Sequence, residues 1–187
     1  RREETLEKQL ADFVSQKLGL DKLLDYLKKF GFGQSSGIDL QGETTVSLRP
    51  KNKWYPIDLA TASFGQGVAV TPIQMLTAVS ALANGGNLME PHVVAKIVNS
   101  NGREFSIKPK VLREVVSQNT AKVITDMMVE AVDQGEAKWA KPRGYRIAGK
   151  TGTAQIPIAG HYDPNRTVAS FVGFAPADDP KFVMLVK

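Results

Sequence analysis

The sequence contains no cysteine among its 187 residues. This absence excludes disulfide bonds, a thiol nucleophile and any metal site built on cysteine. Histidine is almost as scarce, because only His92 and His161 are present. Neither has acidic or cysteine neighbours at the spacing of metal ligands, so the sequence predicts no metal site, and nothing in it predicts a cofactor.

Long apolar runs are also missing. The sequence has no stretch of about 18 consecutive apolar residues and no signal-peptide pattern, so we expect any membrane anchor or export signal to lie outside it. Its 24 basic and 19 acidic residues are interspersed, and the net charge of +5 is not gathered into a basic block with aromatic residues. Nucleic-acid binding is therefore not expected.

What is present fits a globular protein. Hydrophobic residues make up 42% of the chain, and 187 residues suffice for one domain or for a large part of a bigger one. The charged beginning at residues 1–4 and the strand-like end at residues 182–187 favour a fragment of a longer chain.

Apolar residues at helical spacing predict four helices, which cover residues 4–17, 22–30, 73–83 and 120–132. Asp21 is the predicted N-cap of the second helix, and Gly31 closes it. The third helix follows the pair Thr71-Pro72 and is apolar on nearly every face, which predicts a buried central helix. Ser117 is the predicted N-cap of the fourth helix.

Strand-like patterns predict a hairpin and a terminal meander. The hairpin joins residues 92–98 to residues 103–107 through an Asn-Gly turn. The three antiparallel strands of the meander are residues 145–155, 167–174 and 181–186. Residues 32–55 form a long loop region, with short strands predicted at residues 37–40 and 45–48. Helices first and a meander last predict the α+β class, with the sheet packed against helices.

One polar stretch lies at the start of the predicted meander. Residues 149–155 read Gly-Lys-Thr-Gly-Thr-Ala-Gln, and with Gly144 they formally match a phosphate-binding loop. That loop needs an apolar strand before it and a helix after it, but residues 139–143 are charged and proline-broken, and residues 153–165 hold two prolines. The context favours the alternative, the Lys-Thr-Gly box of serine acyl-transfer enzymes, which lies on a strand beside the acyl site.

Four stretches carry a wider resemblance. They are residues 30–43, beginning Phe-Gly-Phe-Gly; residues 63–74, beginning Ser-Phe-Gly-Gln-Gly; residues 83–86, Ala-Asn-Gly-Gly; and residues 144–155. Their order and spacing resemble the C-terminal part of the transpeptidase domain of class B penicillin-binding proteins, the peptidoglycan synthases of cell division and elongation. The resemblance covers residues 17–187 and implies a β-lactamase/transpeptidase-like fold, incomplete in this chain, of which residues 1–187 would be the C-terminal portion.

The resemblance also implies a function. The family's proteins are peptidoglycan D,D-transpeptidases that act through a serine acyl-enzyme, are acylated by β-lactams and are anchored in the inner membrane with the domain on its extracytoplasmic side. The expected partners are the peptidoglycan stem peptide, β-lactam antibiotics, the missing N-terminal part of the domain and a glycosyltransferase.

Of the three sequence boxes that this family uses, only the third is present. No serine is followed three residues later by lysine, so the chain has no nucleophile of the family's type. The one Ser-x-Asn match, at residues 117–119, is interpreted as a helix cap. The family's own Ser-x-Asn box would fall at residues 6–8, which read Leu-Glu-Lys. Either residues 1–16 are not native family sequence or the box has been lost, and we expect this chain alone to be inactive.

The chemistry of the box that is present indicates the role of each residue. Lys150 offers a fixed positive charge that attracts a substrate carboxylate and lowers the pKa of neighbouring acid–base groups. Thr151 and Thr153 offer hydroxyl donors to that carboxylate, and Gly152 leaves room for an extended peptide beside the strand. The resemblance implies that the backbone N–H of Thr153 is an oxyanion-hole donor and that the peptide adds to the strand edge. Lys150 and Thr153 are the predicted catalytic residues, and Lys150, Thr151, Gly152 and Thr153 are the predicted substrate-binding residues.

Two other classes of function stay open. The absent boxes and the charged N-terminus indicate a non-enzymatic binding or interaction module that retains the fold. A serine β-lactamase-like hydrolase would share the Lys-Thr-Gly box, but such enzymes usually lack the signatures at residues 64–67 and 153–155.

Two further groups of residues have two open interpretations each. His161, Tyr162 and Asp163 are expected in the loop after the box, either bordering the substrate groove or solvated. Trp54 and Tyr55 either cover a groove or fill a small satellite core.

Overall fold

The computed structural model describes residues 2–135, 137–138, 141–158 and 161–187. The helices in this part of the chain are α1 (Arg2–Leu18), α2 (Leu20–Lys29), α3 (Pro56–Ser63), α4 (Pro72–Ala83) and α5 (Gln118–Gln134). The strands are β1 (Asn87–Met89), β2 (Lys96–Val98), β3 (Glu104–Ser106), β4 (Val111–Glu114), β5 (Ala148–Ile158), β6 (His161–Ala175) and β7 (Phe182–Val186). None of these helices has both the length and the apolarity that a membrane span requires.

Strands β5, β6 and β7 form an antiparallel sheet in that order, which confirms the predicted meander. Strand β5 continues to Ile158, so the helix that a phosphate-binding loop needs does not follow it, and that alternative is wrong. The loop expected at residues 161–163 is also wrong, because Pro157 pairs with Tyr162 and Ile158 with His161. Proline is tolerated in β5 because an edge strand has one row of backbone groups without a ladder partner.

Helices α4 and α5 pack against this sheet and form the main core with it. The buried residues of that core are Val79, Val129, Ala148, Phe174 and Ala177. From residue 73 to residue 83, α4 has no exposed side chain, which confirms the buried central helix. The α+β class and the packing of the meander against helices are confirmed as well.

The predicted helix caps have different outcomes. The hydroxyl of Ser117 accepts the N–H of Thr120 at 3.2 Å, so Ser117 caps α5 as predicted. Asp21 is not the cap of α2, because the helix begins at Leu20 and its N-cap is Gly19, which has no side chain to accept a bond. Asp21 lies in the first turn instead, where a negative charge is favourable at the positive end of the helix dipole.

Helix α3 was not predicted, although the glycine turn that ends it was. The N–H of Gly65 donates to the carbonyl of Ala62, and the N–H of Gln66 donates to that of Thr61. This pair of bonds is the Schellman arrangement, and Gly65 has the positive φ of 88° that it requires. With eight residues, α3 is shorter than the 11–18 residues over which helical periodicity is recognised.

The strands predicted between residues 37 and 48 are wrong, since this segment contains no strand. Two carboxylates of this segment instead accept backbone N–H groups of residues outside it. Asp39 accepts the N–H groups of Val93 at 2.7 Å and Val94 at 2.9 Å, which ties the loop to the chain before the hairpin. Glu43 accepts bonds from two residues of its own loop.

Two small sheets complete the structure. The predicted hairpin is confirmed as β2 paired with β3, with Ile97 opposite Phe105. Strands β1 and β4 also pair, with Leu88 opposite Arg113, and were not predicted. They have three and four residues, too few to show an alternating pattern.

Candidate functional site

The Lys-Thr-Gly stretch lies on β5, at one edge of the three-stranded sheet. Within the described residues β5 pairs only with β6, so its other edge has no strand partner. The register places Lys150 opposite Val172 and Thr153 opposite Ala169. An unpaired edge presents backbone N–H and C=O groups to which an extended peptide can add as a further strand.

The four predicted site residues divide between the two faces of β5, because successive side chains in a strand point to opposite faces. Lys150 and Gly152 lie on the face of Ala148, which packs in the core against α5. Thr151 and Thr153 lie on the other face. Lys150 and Thr153 are exposed, whereas Thr151 and Gly152 are half-buried. A ligand along the strand edge is therefore within the reach of side chains from both faces.

The ammonium group of Lys150 has no carboxylate partner among the described residues. It donates one hydrogen bond, to the carbonyl oxygen of Thr151 at 3.2 Å. Other lysines, among them Lys29, Lys96 and Lys122, form ion pairs with a carboxylate. The charge of Lys150 is therefore left available to an anion that lies along the strand.

Gly152 lies close to a side chain across the sheet. A Cβ atom at this position would lie 2.9 Å from the hydroxyl oxygen of Ser170, which is the residue opposite on β6. The Ser170 hydroxyl is 3.4 Å from the carbonyl oxygen of Gly152. The sequence assigned the glycine to the approach of a peptide, and the structure adds a close contact with Ser170, whose hydroxyl would have to rotate away from a side chain at this position.

A second pair of glycines lies beside the site, and sequence reasoning gave it no role. Gly149 and Gly173 oppose each other on β5 and β6. A Cβ atom on Gly149 would lie 2.3 Å from the ring of Phe171, and one on Gly173 would lie 2.6 Å from the carbonyl oxygen of Ala148. The aromatic ring thus covers the glycine pair immediately before Lys150. Glycine inside a strand pattern is the sequence signal for such a close approach.

Arg146 was also missed as a candidate, and it joins β5 to two other elements. One guanidinium nitrogen lies 2.6 Å from the carboxylate of Asp126 on α5, and the other pairs with Asp178 in the turn between β6 and β7. Its carbonyl oxygen accepts the N–H of Ala177 at 2.8 Å. The hydrogen bond from Arg146, reinforced by Lys122, lowers the pKa of the Asp126 carboxyl, and the same bond raises the pKa of Arg146.

The remaining candidates lie away from this strand or outside the described structure. Trp54 donates its ring N–H to the carbonyl of Arg49 at 2.9 Å and stacks with that guanidinium, while Tyr55 is 70% exposed. The side chains of His161 and Tyr162 are not among those described, and residues 139 and 140 of the approach to β5 lie outside the described residues.

Comparison with known proteins relates this chain to a family. The model described as the penicillin binding protein transpeptidase domain matches residues 10–187. Stage V sporulation protein D of Bacillus subtilis is 45% identical over 175 residues, which cover 92% of this chain and 27% of that protein. The probable peptidoglycan D,D-transpeptidase PenA of Neisseria gonorrhoeae is 30% identical and is matched over 92% of this chain and 28% of its own length. The chain thus spans little more than a quarter of these relatives.

Solved structures give the same relationship. Penicillin binding protein 3 from Mycobacterium tuberculosis, complexed with aztreonam, has a TM-score of 0.85 and 32% identity, over 94% of this chain and 41% of that one. The apo transpeptidase domain of penicillin-binding protein 3 from Burkholderia pseudomallei has a TM-score of 0.80 and 30% identity, over 94% of this chain and 51% of that one. These similarities confirm the predicted β-lactamase/transpeptidase-like fold.

Proposed function

The chain belongs to the penicillin-binding protein transpeptidase family, and from this premise we propose that it forms the substrate-binding wall of a peptidoglycan D,D-transpeptidase. In this proposal residues 1–187 are the C-terminal portion of the transpeptidase domain. The observation that carries it is the edge of β5 that has no strand partner among the described residues, where Lys150, which has no carboxylate partner among them either, lies near exposed Thr153. A relative whose name states this activity and a family structure complexed with a β-lactam support it.

The stem peptide is the proposed ligand of this edge. It lies antiparallel to β5 and adds to the sheet, so that its backbone groups pair with the unpaired edge. Lys150 attracts its terminal carboxylate, and the hydroxyl groups of Thr151 and Thr153 donate to that carboxylate. A penicillin carries a carboxylate as well and takes the same position.

Thr153 has a second proposed role, through its backbone. Its N–H is one donor of the oxyanion hole, which stabilises the charge that develops on the carbonyl oxygen during acyl transfer. Loss of one such donor typically raises the barrier by about 2.7–4 kcal/mol. Gly152, held between Thr151 and Thr153, keeps the strand close to Ser170 and leaves the peptide side of the box free of a side chain.

The nucleophile is proposed to lie outside this chain. No serine here has a lysine three residues later, and the family match begins at residue 10, after the position at which the Ser-x-Asn box is expected. The acyl-enzyme therefore forms on a serine in the preceding part of the domain. We place that domain on the extracytoplasmic side of the inner membrane, with a glycosyltransferase as a further partner.

Labelling with a fluorescent penicillin tests this function. The full-length protein that carries this chain should be labelled covalently, and the isolated 187-residue chain should not. Covalent labelling of the isolated chain would contradict the proposal that the nucleophile lies elsewhere. A full-length protein that stays unlabelled would contradict the transpeptidase itself.

The absent boxes favour one second candidate, a binding module without catalysis. Such a protein would bind a stem-peptide analogue but would stay unlabelled by penicillin at full length. The fate of the bound antibiotic distinguishes the β-lactamase-like hydrolase from a transpeptidase. A transpeptidase releases the penicilloyl group slowly, whereas a β-lactamase releases it rapidly and regenerates free enzyme.

A further inference from the structure

Arg146 is placed where it can hold β5 in register with the rest of the fold. It lies two residues before β5 begins and four residues before Lys150. Its guanidinium contacts Asp126 on α5 and Asp178 in the turn between β6 and β7. One side chain therefore connects the start of the site strand to both structures that flank it.

The start of β5 also packs in the buried core beside these contacts of Arg146. Ala148, the first residue of β5, packs in the same buried cluster as Val129 of α5, which lies one helical turn beyond Asp126. Ala177, whose N–H donates to the carbonyl of Arg146, belongs to that cluster too. A shift of β5 along its axis would break the guanidinium contacts and the Ala177 bond together. It would also move Lys150 and Thr153 by the same distance.

We infer that Arg146 is a positioning residue for acyl transfer, which sets the position of Lys150 and of the Thr153 N–H without touching the substrate. The inference rests on the proposed function. A role in folding stability alone does not explain the arrangement, because the three side chains of this network are 39%, 45% and 71% exposed, and ion pairs with such exposure contribute little to stability. Catalysis is far more sensitive, since a displacement of about 1 Å at a reacting group can cost about 100-fold in rate.

The test measures penicillin acylation of the full-length protein by stopped-flow fluorescence. The saturating acylation rate, the apparent dissociation constant of the antibiotic and the labelled fraction at completion are obtained separately. For Arg146→Ala we expect the acylation rate to fall by about 10-fold or more, with the dissociation constant and the labelled fraction close to wild type. Arg146→Lys should recover only part of the rate, because it keeps the positive charge but lacks the planar fork of N–H donors with which the guanidinium contacts both carboxylates.

Asp126→Asn supplies an independent variant that weakens the same bond from the other side, because the amide oxygen still accepts a hydrogen bond but carries no negative charge; it should also lower the rate. If Arg146→Ala does not fold, Arg146→Lys and Asp126→Asn decide the question. Arg103→Ala is the matched control, because Arg103 stacks on Phe105 in the hairpin and forms no hydrogen bond or ion pair with the described residues of β5; it should leave the acylation rate unchanged.

Two results would overturn the inference. The first is an acylation rate within twofold of wild type for Arg146→Ala or, where that variant does not fold, for Arg146→Lys and Asp126→Asn. The second is a loss confined to the labelled fraction, which is the signature of a residue needed only for folding. Failure of the proposed function looks different, because the wild-type protein itself would then stay unlabelled.

Discussion

The glycine pair beside Lys150 leads to a prediction that tests the packing of the site strand. In Gly149→Ala the new methyl group would lie 2.3 Å from the ring of Phe171, so the ring must move. Overpacking of this kind costs about 1–3 kcal/mol. Alanine also restricts the unfolded chain, which returns about 0.4–1 kcal/mol. We therefore expect Gly149→Ala to lower the free energy of unfolding by about 1–2 kcal/mol.

A double-mutant cycle with Phe171→Leu shows whether the ring is the cause. Leucine lacks the distal ring atoms that meet the new methyl group, so Gly149→Ala should cost little in the Phe171→Leu background. We expect the double variant to be about 1–2 kcal/mol more stable than the sum of the two single effects, a coupling that residues in contact reach. Calorimetry of the full-length protein measures this coupling through the midpoint of thermal unfolding. For domains of 150–250 residues, a change of 1 kcal/mol shifts the midpoint by about 2–4 °C.

Gly173→Ala provides the contrast within the same sheet. Its methyl group would meet the carbonyl oxygen of Ala148 at 2.6 Å, and backbone cannot rotate away as a ring can. We expect a larger loss for this variant, and Phe171→Leu should relieve it only in part. Equal stability of Gly149→Ala and wild type, or no relief by Phe171→Leu, would refute this account of the strand.

Three further predictions follow from the same structure. Lys150→Ala should lower the rate of penicillin acylation by about 100-fold, whereas Lys108→Ala, which removes another exposed lysine, should not change it; equal rates would remove Lys150 from the site. The hydrogen bonds from Ser35 and then Ser36 lower the pKa of the Glu43 carboxyl from its ordinary 4.5 to about 2, so its contribution to stability is present above pH 4.5 and is lost as the pH falls toward 2. Glu43→Gln should flatten the acid side of the stability profile in that window, and an unchanged profile would contradict it. Ser117→Ala should destabilise the protein by about 1 kcal/mol through the lost N-cap of α5, as chemical unfolding would measure, and a neutral effect would show that the cap contributes nothing.

Helices and strands could be predicted from the sequence wherever a periodic pattern was long and its ends carried cap or turn residues. Helix α4 follows Thr71-Pro72 and is apolar all round, and α5 begins at a serine cap, so both were found. The meander was found because its strands are long, apolar and consecutive. Within the site, the box on β5 could be located by its residue types and by the strands around it.

What the sequence missed depends on contacts between distant residues. The loop before α3 contains residues typical of strands, yet its shape depends on two of its carboxylates. Asp39 accepts the N–H groups of Val93 and Val94, and Glu43 accepts that of Ser36, which no periodicity reveals. The extension of β6 back to His161 depends on pairing with the end of β5, across two prolines that indicated a loop. The contacts of Arg146 with Asp126 and Asp178 span 20 and 32 residues and appear only after α5 and the sheet have packed.

The central claim is that this chain is a binding wall whose nucleophile lies elsewhere in the protein. The most direct measurement is peptide mapping by mass spectrometry after the full-length protein has reacted with penicillin. The account predicts one penicilloyl group, on a serine that lies outside residues 1–187. A penicilloyl group on any residue of this chain would contradict it.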